Sequence, residues 1–176
     1  FAGVCGRVCK YPCEAECERG NVDEPLAIRA LHRFLADHEL KSGRDKASPV
    51  EVTKESKVAV IGSGPAGLAC AFDLVKLGYP VTIFEAASEA GGMLRYGIPE
   101  YRLPKNIVED EISYIEELGV EIKTNSPVKD IKDIFAQGYK AVFVSTGAWK
   151  SQKMGIPNGD TNGVINALDF LYQVNS

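Results

Sequence analysis

The second half of the chain alternates short apolar runs with longer segments of helical period. Because the apolar runs carry hydrophobic residues at successive positions and alternate with helices, they predict a parallel α/β sheet covered on both faces. The predicted strands are Val58–Ile61, Pro80–Glu85, Val120–Thr124 and Ala141–Ser145. The predicted helices are Pro65–Leu77, Pro104–Leu118, Asp130–Ala136 and about Asn166–Val174.

The first third of the chain has a different pattern. Residues 1 to about 20 show little apolar period, and a helix is predicted from about Glu24 to Leu40 with Asp23 as its N-cap. The polar stretch that follows, with Gly43 and Pro49, is typical of a linker. We therefore predict a helical cysteine-rich segment at 1–47, a linker at 48–56 and an α/β domain at 57–176. The predicted apolar face of the helix consists of Leu26, Ala30, Leu31, Phe34, Leu35 and His38.

Composition narrows the class of protein. The chain has 176 residues, 45% of them hydrophobic, and a formal net charge of −4. The absence of a basic surplus argues against a nucleic-acid partner. The sequence contains no run of about 18 apolar residues, so we expect no membrane-spanning helix. No signal peptide is visible, and because the first residue is Phe1 rather than Met we expect a missing start. Four of the five cysteines cluster near the start, which in a reducing compartment favours metal binding over disulfides. We therefore expect a cytoplasmic protein.

A glycine-rich turn follows the first strand directly. The run Gly62-Ser-Gly64-Pro-Ala-Gly67 matches G-x-G-x-x-G between a strand and a helix. The first glycine permits a tight turn, the second lets backbone approach a pyrophosphate, and the third lets the helix pack closely on the strand. The helix N-terminus then offers free N–H groups to phosphate. The predicted dinucleotide-binding residues of this Rossmann-like turn are Gly62, Gly64, Pro65, Ala66 and Gly67.

An acid at the end of the second strand strengthens this prediction. Glu85 lies eighteen residues after Gly67. A carboxylate there accepts hydrogen bonds from ribose hydroxyls and repels a 2′-phosphate, so this site is predicted not to hold NADP. The alternative is a glycine turn with an incidental glutamate, and the motif alone does not separate FAD from NAD.

The next segment resembles a known family. The run Gly91-Gly-Met-Leu94-Arg-Tyr-Gly-Ile-Pro, followed by Arg102-Leu-Pro, is similar to flavoprotein subunits typified by the glutamate synthase small (beta) chain. The group includes the flavin domain of dihydropyrimidine dehydrogenase and the flavin subunit of NADH-dependent ferredoxin:NADP oxidoreductases. The resemblance implies a two-dinucleotide-binding flavoprotein fold, incomplete here, with FAD lined by Gly91, Gly92, Leu94 and Arg102. A glycine-rich surface loop is the alternative.

The fourth strand agrees with this resemblance. Ser145-Thr146-Gly147 is similar to the family's Ala-Thr-Gly turn, with Ser145 in place of the alanine. The resemblance implies that Thr146 and Gly147 close on FAD and that the backbone of Val128 meets the adenine. The stretch from Asn162 to Leu171 also matches the family.

The cysteines near the start have three successive C-x3-C spacings. Thiolates bind iron, and a 4Fe-4S cluster needs about four of them. Zinc favours C-x2-C, and zinc, disulfides and free structural thiols remain the alternatives. The resemblance implies ligands to two 4Fe-4S clusters whose other cysteines lie upstream, so neither cluster is expected to be complete here, and the last three are favoured over the first. The predicted metal ligands are Cys5, Cys9, Cys13 and Cys17.

Other chemistry-bearing residues have simpler interpretations. His32 lies near a family position that sometimes completes a cluster, but a half-buried helix histidine is the commoner case. Cys70, and the aromatic residues Tyr96, Tyr101 and Trp149, are expected to pack in the core. The acidic run 109–111 is expected to be a solvated helix face. No catalytic side chain is predicted, because the flavin would be the reactive group.

The resemblance implies an NAD(P)H-dependent oxidoreductase. NAD(P)H reduces FAD in this family, and electrons then pass through 4Fe-4S clusters to a partner such as a glutamate synthase large chain. The second glycine motif and the returning flavin segment are not in the sequence, so we expect a fragment that alone binds FAD weakly and does not turn over. An NAD-binding dehydrogenase module with a zinc tail and a non-catalytic docking module are the competing predictions.

Overall fold

A computed structural model describes residues 1–152 and 155–176. The described helices are α1 (Ala2–Val8), α2 (Pro12–Ala15), α3 (Ile28–Ser42), α4 (Pro65–Lys76), α5 (Met93–Tyr96), α6 (Lys105–Glu117), α7 (Ile131–Ala136) and α8 (Ala167–Asn175), with a 3₁₀ turn at Glu18–Asn21. The described strands are β1 (Val58–Ile61), β2 (Val81–Phe84), β3 (Glu121–Lys123) and β4 (Ala141–Val144). None of the described helices is long and apolar enough to cross a membrane.

The four strands form one parallel sheet in the order β3-β2-β1-β4. Val58 pairs with Val81 on one side and with Ala141 on the other, so β1 is central. The chain leaves β1 toward β2 and β3 and later returns to the opposite side of β1 as β4. The carboxyl ends of β1 and β4 therefore flank the crevice where open α/β sheets bind ligands. The predicted α/β fold class is confirmed.

The main core lies between the sheet and helices α4 and α6. Val60, Leu68, Ile83, Leu103 and Val108 are essentially inaccessible to solvent within it. β1 and β2 are buried at every position, as their apolar sequences predict. β3 and β4 are not, since most of their residues are exposed in the described chain. The prediction of a sheet covered on both faces was therefore wrong for the two edge strands.

Helix α3 differs from its prediction in its start and its N-cap. It begins at Ile28 rather than Glu24, and its N-cap is Ala27 without a side-chain hydrogen bond. The predicted cap, Asp23, pairs instead with Arg19. The predicted apolar face is exposed, with Phe34 66% exposed, and the buried residue of the helix is Ala36. The helix packs on α1 through the side opposite its exposed apolar face.

The acidic run 109–111 on α6 is only partly the predicted solvated face, because its first side chain is 57% exposed and its third only 16%. Its first carboxylate lies 3.4 Å from Arg95, its second lies 3.0 Å from Arg44, and its third accepts the backbone N–H of Gly3 at 2.7 Å. The partners are distant in sequence, so no local pattern announces them. Each acid of the run therefore contacts a different part of the chain.

Residues 43–57 contain no helix or strand, yet they are attached to the α/β unit. The N–H of Val50 donates to the carbonyl of Leu118 at 2.9 Å, and the N–H of Thr53 donates to the carbonyl of Gly78 at 3.0 Å. These bonds satisfy backbone groups that a free linker would leave to water. The predicted division at 48–56 stays a prediction.

Close contact between α1 and α3 gives a first prediction. A Cβ at Gly6 would lie 2.5 Å from the backbone nitrogen of Arg33, so Gly6→Ala forces the two helices apart. We expect a loss of about 1–3 kcal/mol in the free energy of unfolding, as for other overpacked sites. The matched control is Gly64→Ala, whose new Cβ has no atom within 4 Å. Chemical denaturation of the cofactor-free protein checks both, and equal midpoints for the two variants would contradict the packing.

Candidate functional site

The turn between β1 and α4 requires two of its glycines for packing. Gly62 has φ +98°, a conformation that favours glycine, and a Cβ there would lie 2.5 Å from the carbonyl oxygen of Ser145. A Cβ at Gly67 would lie 2.0 Å from the carbonyl oxygen of Gly62. The turn is therefore held tightly between β4 and the first turn of α4.

The glycine at position 64 has no such requirement. Its φ is −67°, which any residue adopts, and a Cβ there would meet nothing within 4 Å. Gly64 is the N-cap of α4, whose first N–H groups have no side-chain cap. Open space at an uncapped helix N-terminus, beside backbone without a Cβ, fits a pyrophosphate. The residues present therefore suit the phosphate group of a dinucleotide.

The carboxylate of Glu85 is aimed at this turn. Glu85 is only 7% exposed, and its Oε2 accepts both the N–H of Ser63, at 2.8 Å, and the Ser63 hydroxyl. Its Oε1 accepts the N–H of Ala87 at 2.8 Å. An ionised carboxylate offers about four lone-pair positions, so one position on Oε1 remains for a further donor.

Ser63 is a site residue that the sequence did not predict. It is fully buried, and its hydroxyl donates to Glu85 while accepting the N–H of Gly91 at 3.1 Å. One side chain thus joins the end of β2, the glycine turn and the segment before α5. Ser63 is an unspecified position of G-x-G-x-x-G, so only the structure shows its role.

The Gly91–Gly92 loop lies directly against the glycine turn. Both residues have positive φ, +123° and +53°, and a Cβ at Gly92 would lie 2.8 Å from the Cα of Gly64. The predicted grouping of this loop with the turn is therefore present in the structure. Leu94 packs its side chain in the core, whereas Arg102 is exposed.

Two basic side chains, also not predicted, brace the segment around α5. Arg95 is buried, and its Nε donates to the carbonyl of Ala90 at 2.9 Å. Lys105 Nζ donates to the carbonyls of Arg95 and, at 3.3 Å, of Ile98. Burial lowers the pKa of the Lys105 ammonium. These contacts fix the loop that follows the two glycines.

The turn after β4 closes the other side of the crevice. The Ser145 hydroxyl lies 3.0 Å from the carbonyl of Ile61 and 3.1 Å from that of Gly62, and donates between them. An alanine at this position lacks these bonds, so Ser145 ties β4 to the glycine turn. Thr146 and Gly147 follow as exposed residues at the edge of the crevice.

Three aromatic residues form a cluster, and a fourth lies on the surface. Tyr96, Trp149 and Tyr172 pack together, with ring centroids 5.0 to 6.1 Å apart. Tyr101 is 90% exposed and Trp149 is 38% exposed, so the expectation of core packing was wrong for these two, whereas Tyr96 is buried as expected. Cys70 packs against the main core, as expected.

The segment after β3 contacts the acid-bearing strand end. The N–H of Ser126 donates to the backbone carbonyl of Glu85 at 2.7 Å, and Val128 packs beside the small second core that contains Phe84. The segment after β3 is therefore attached to the end of β2, and the role of Val128 at the adenine stays a prediction.

The four early cysteines are free thiols on or beside the short helices. Cys5 lies in α1 and Cys13 in α2, while Cys9 and Cys17 follow the ends of these helices. Within residues 1–152 and 155–176, no three His, Cys, Asp or Glu side chains form a group able to hold a metal ion. His32 accordingly joins no such group. The cysteines present do not form a complete cluster site, and a cluster here needs ligands from other residues.

Two of these thiols have pKa values shifted in opposite directions. Hydrogen bonding from the backbone at Leu26, Arg19 and Gly20 lowers the pKa of the Cys17 thiol. Burial raises the pKa of Cys5 instead. Since the thiolate is the form that binds iron, the loop around Cys17 favours metal ligation.

Comparison with family models gives two matches along the chain. Residues 56–175 match the family described as pyridine nucleotide-disulphide oxidoreductase. Residues 1–44 match the family described as dihydropyrimidine dehydrogenase domain II, 4Fe-4S cluster. The matches confirm the predicted resemblance and the predicted cofactor classes, FAD and 4Fe-4S. The roles of individual residues stay predictions.

Several curated proteins are similar over almost the whole chain. The beta subunit of NADP(+)-dependent formate dehydrogenase from Moorella thermoacetica is 46% identical over 99% of this chain and 28% of that protein. The beta subunit of NADPH-Fe(3+) oxidoreductase from Geobacter sulfurreducens is 42% identical over 96% of this chain and 26% of that protein. The glutamate synthase [NADPH] small chain of Bacillus subtilis is 38% identical over 97% of this chain and 35% of that protein. The chain thus spans about a third or less of these relatives.

A solved structure supports the fold. Mycobacterium tuberculosis FprA in complex with NADPH aligns with a TM-score of 0.59 and 24% sequence identity, over 68% of this chain and 28% of that one.

The Ser63 network predicts a stability effect. Ser63→Ala leaves the buried N–H of Gly91 without its acceptor and removes one donor from Glu85, so we expect a loss of about 1–3 kcal/mol in unfolding free energy. Ser113→Ala, at an exposed position of α6, is the control and is expected to change stability little. Denaturant titration measures both, and an unchanged midpoint for Ser63→Ala would show that the network contributes nothing.

The thiol environments predict an order of reactivity. In the reduced, metal-free protein, the pH at which alkylation reaches half its maximal rate should be lower for Cys17 than for Cys5 or Cys70, because burial raises the pKa of the latter two. The pH profile distinguishes the pKa of each thiol from its accessibility to the reagent. Mass spectrometry after pulses of iodoacetamide measures the alkylation of each cysteine. A Cys17 profile at or above those of the other two would contradict the geometry around its sulfur.

Proposed function

Since the chain belongs to the pyridine nucleotide-disulphide oxidoreductase family, we propose that it forms the flavin- and iron–sulfur-binding part of a longer NAD(P)H-dependent oxidoreductase. The observation that carries the proposal is the open space beside Gly64, where a glycine stands that the fold itself does not require. When bound, FAD takes a two-electron hydride from NAD(P)H and gives the electrons singly to one-electron acceptors.

The adenosine diphosphate half of FAD is assigned to the turn and its acid. The uncapped N–H groups of α4 and the bare backbone at Gly64 receive the pyrophosphate, with Pro65 and Ala66 at its edge. The remaining lone pair on Glu85 Oε1 accepts a ribose hydroxyl. The same negative charge disfavours a 2′-phosphate, so NAD(P)H is assigned to a separate domain of the longer protein.

The rest of the cofactor is assigned to the loops that border the crevice. The part of the cofactor beyond its pyrophosphate is assigned to Gly91, Gly92 and the backbone of Leu94. The exposed Arg102 is assigned as a cation on the same side of the crevice. Thr146 and Gly147 close the opposite edge, and the backbone of Val128 lies toward the adenine. Support comes from the contact of both glycine segments at Gly64.

The cysteines are assigned to iron–sulfur clusters that other residues complete. Cys5, Cys9, Cys13 and Cys17 supply part of the ligands, and the remainder come from the longer protein. Two observations support this assignment: the match of residues 1–44 to a 4Fe-4S family and the lowered pKa of the Cys17 thiol.

The electron acceptor is proposed to be a partner subunit or domain. Relatives are named as beta subunits or small chains of formate dehydrogenase, Fe(3+) oxidoreductase and glutamate synthase, so these are assemblies with other chains. One such electron-accepting partner would be comparable to a glutamate synthase large chain. The cytoplasm is the proposed location, because free clustered thiols are typical of a reducing compartment.

The proposal is tested in the full-length protein with Gly64→Asp. The new Cβ meets no described atom within 4 Å, so the protein should fold, and the carboxylate brings negative charge to the proposed pyrophosphate position. FAD affinity should therefore fall at least about tenfold, equivalent to about 1.4 kcal/mol. Flavin released on denaturation and NAD(P)H-dependent dye reduction are the two measurements. Both should fall together.

Ser113→Asp, which adds the same charge on exposed α6, is the control and should keep wild-type flavin. Retention of FAD and activity by Gly64→Asp would refute the site. Recovery of a nicotinamide instead of a flavin from the wild-type protein would refute the cofactor.

A further inference from the structure

We propose that helix α6 is a spacer that holds the cysteine-bearing helix α1 in a fixed position relative to the Gly91–Gly92 loop, and that Glu111 is its positioning residue toward α1. The proposal deepens the function proposed above and rests on it. It concerns the separation between the part of the chain assigned to flavin and the part assigned to iron–sulfur ligation.

The contact of α6 with α1 is short and buried. Glu111 Oε1 accepts the N–H of Gly3 at 2.7 Å, and the Glu111 side chain is only 16% exposed. A Cβ at Gly3 would lie 2.8 Å from Cγ2 of Ile107, so α1 approaches α6 as closely as its backbone permits. Gly3 precedes Cys5 by two residues in the same helix. Movement at Gly3 therefore moves the first cysteine.

The contact of α6 with the glycine loop is equally close. A Cβ at Gly91 would lie 3.1 Å from Cγ1 of Val108 and 3.6 Å from Cδ1 of Ile112. Both α6 side chains are buried in the main core. Gly91 is in turn bonded to Ser63 of the glycine turn. The loop assigned to flavin thus rests on the same helix that holds α1.

The two contacts use neighbouring rows of α6. Ile107 and Glu111 are four residues apart and face α1, whereas Val108 and Ile112 are four apart and face the loop. Successive residues of an α-helix differ by about 100° around its axis, so the two rows belong to one rigid turn. Both rows belong to α6, so this helix connects α1 directly to the loop, while α3 packs against α1 from another side.

The two neighbouring acids add weaker bracing. The first acid of the run lies 3.4 Å from Arg95, and Asp110 lies 3.0 Å from Arg44. These carboxylates are more exposed than Glu111, and exposed ion pairs contribute about 0–1 kcal/mol. Glu111 is therefore the residue whose loss should release α1.

The experiment uses the full-length protein with its cofactors and the variant Glu111→Ala. Hydrogen exchange of residues 1–8 should become faster, since the Gly3 N–H loses its acceptor, while exchange of residues 89–97 stays the same. Reduction of the flavin by NAD(P)H should keep its rate. Oxidation of the reduced flavin by the protein's own iron–sulfur groups should slow relative to the wild type, because electron transfer becomes slower as the distance between donor and acceptor grows.

Two further variants separate positioning from a general structural effect. Glu111→Gln keeps an oxygen that accepts the Gly3 N–H and should restore both exchange and flavin oxidation. Glu116→Ala, an exposed acid on the same helix, should match the wild type. If Glu111→Ala loses its cofactors, Glu111→Asp, which withdraws the carboxylate by one methylene, replaces it with the same expectations.

Three results would overturn the spacer role. The first is a wild-type rate of flavin oxidation in Glu111→Ala despite faster exchange in residues 1–8, and the second is an equal slowing of flavin reduction and flavin oxidation in that variant. The third is an effect of Glu116→Ala as large as that of Glu111→Ala. A wild-type protein whose flavin is not reduced by NAD(P)H would instead refute the proposed function, so the two failures are distinguishable.

Discussion

The site depends on one buried carboxylate. Glu85 is held by the backbone and hydroxyl of Ser63 and by the N–H of Ala87, so its charge is satisfied by three donors within the protein. A buried carboxylate without such donors would be strongly destabilising. Because Ser63 also receives the N–H of Gly91, the same charge fixes the position of both glycine segments. The geometry of the crevice follows from this network.

The three glycines of the turn illustrate how structure separates packing from binding. Gly62 and Gly67 are required by atoms of the chain itself, since a Cβ at either would overlap backbone oxygen. No described atom requires a glycine at position 64. Gly64 stands at the N-terminus of a helix beside an ordered acid, and a ligand that approaches the backbone best explains a glycine there.

The sequence predicted the elements whose signals are local. The apolar run at β1, the glycine turn and the helix after it follow from side-chain period and glycine spacing, and the early cysteines follow from their clustering. Ser63 and the acids of α6 escaped prediction because their roles depend on partners far along the chain, such as Gly3 for Glu111. The exposure of the apolar face of α3 was also not predictable, because an apolar period shows that a face is hydrophobic but not whether anything in the described chain covers it.

A crystal structure of the full-length protein with its flavin would show whether the crevice holds the cofactor. We expect the pyrophosphate of FAD within hydrogen-bond distance of the backbone N–H groups at the start of α4, and a ribose hydroxyl on Oε1 of Glu85. The contradicting result would be side chains filling the space beside Gly64, or a flavin bound elsewhere with Glu85 still enclosed by its own three donors.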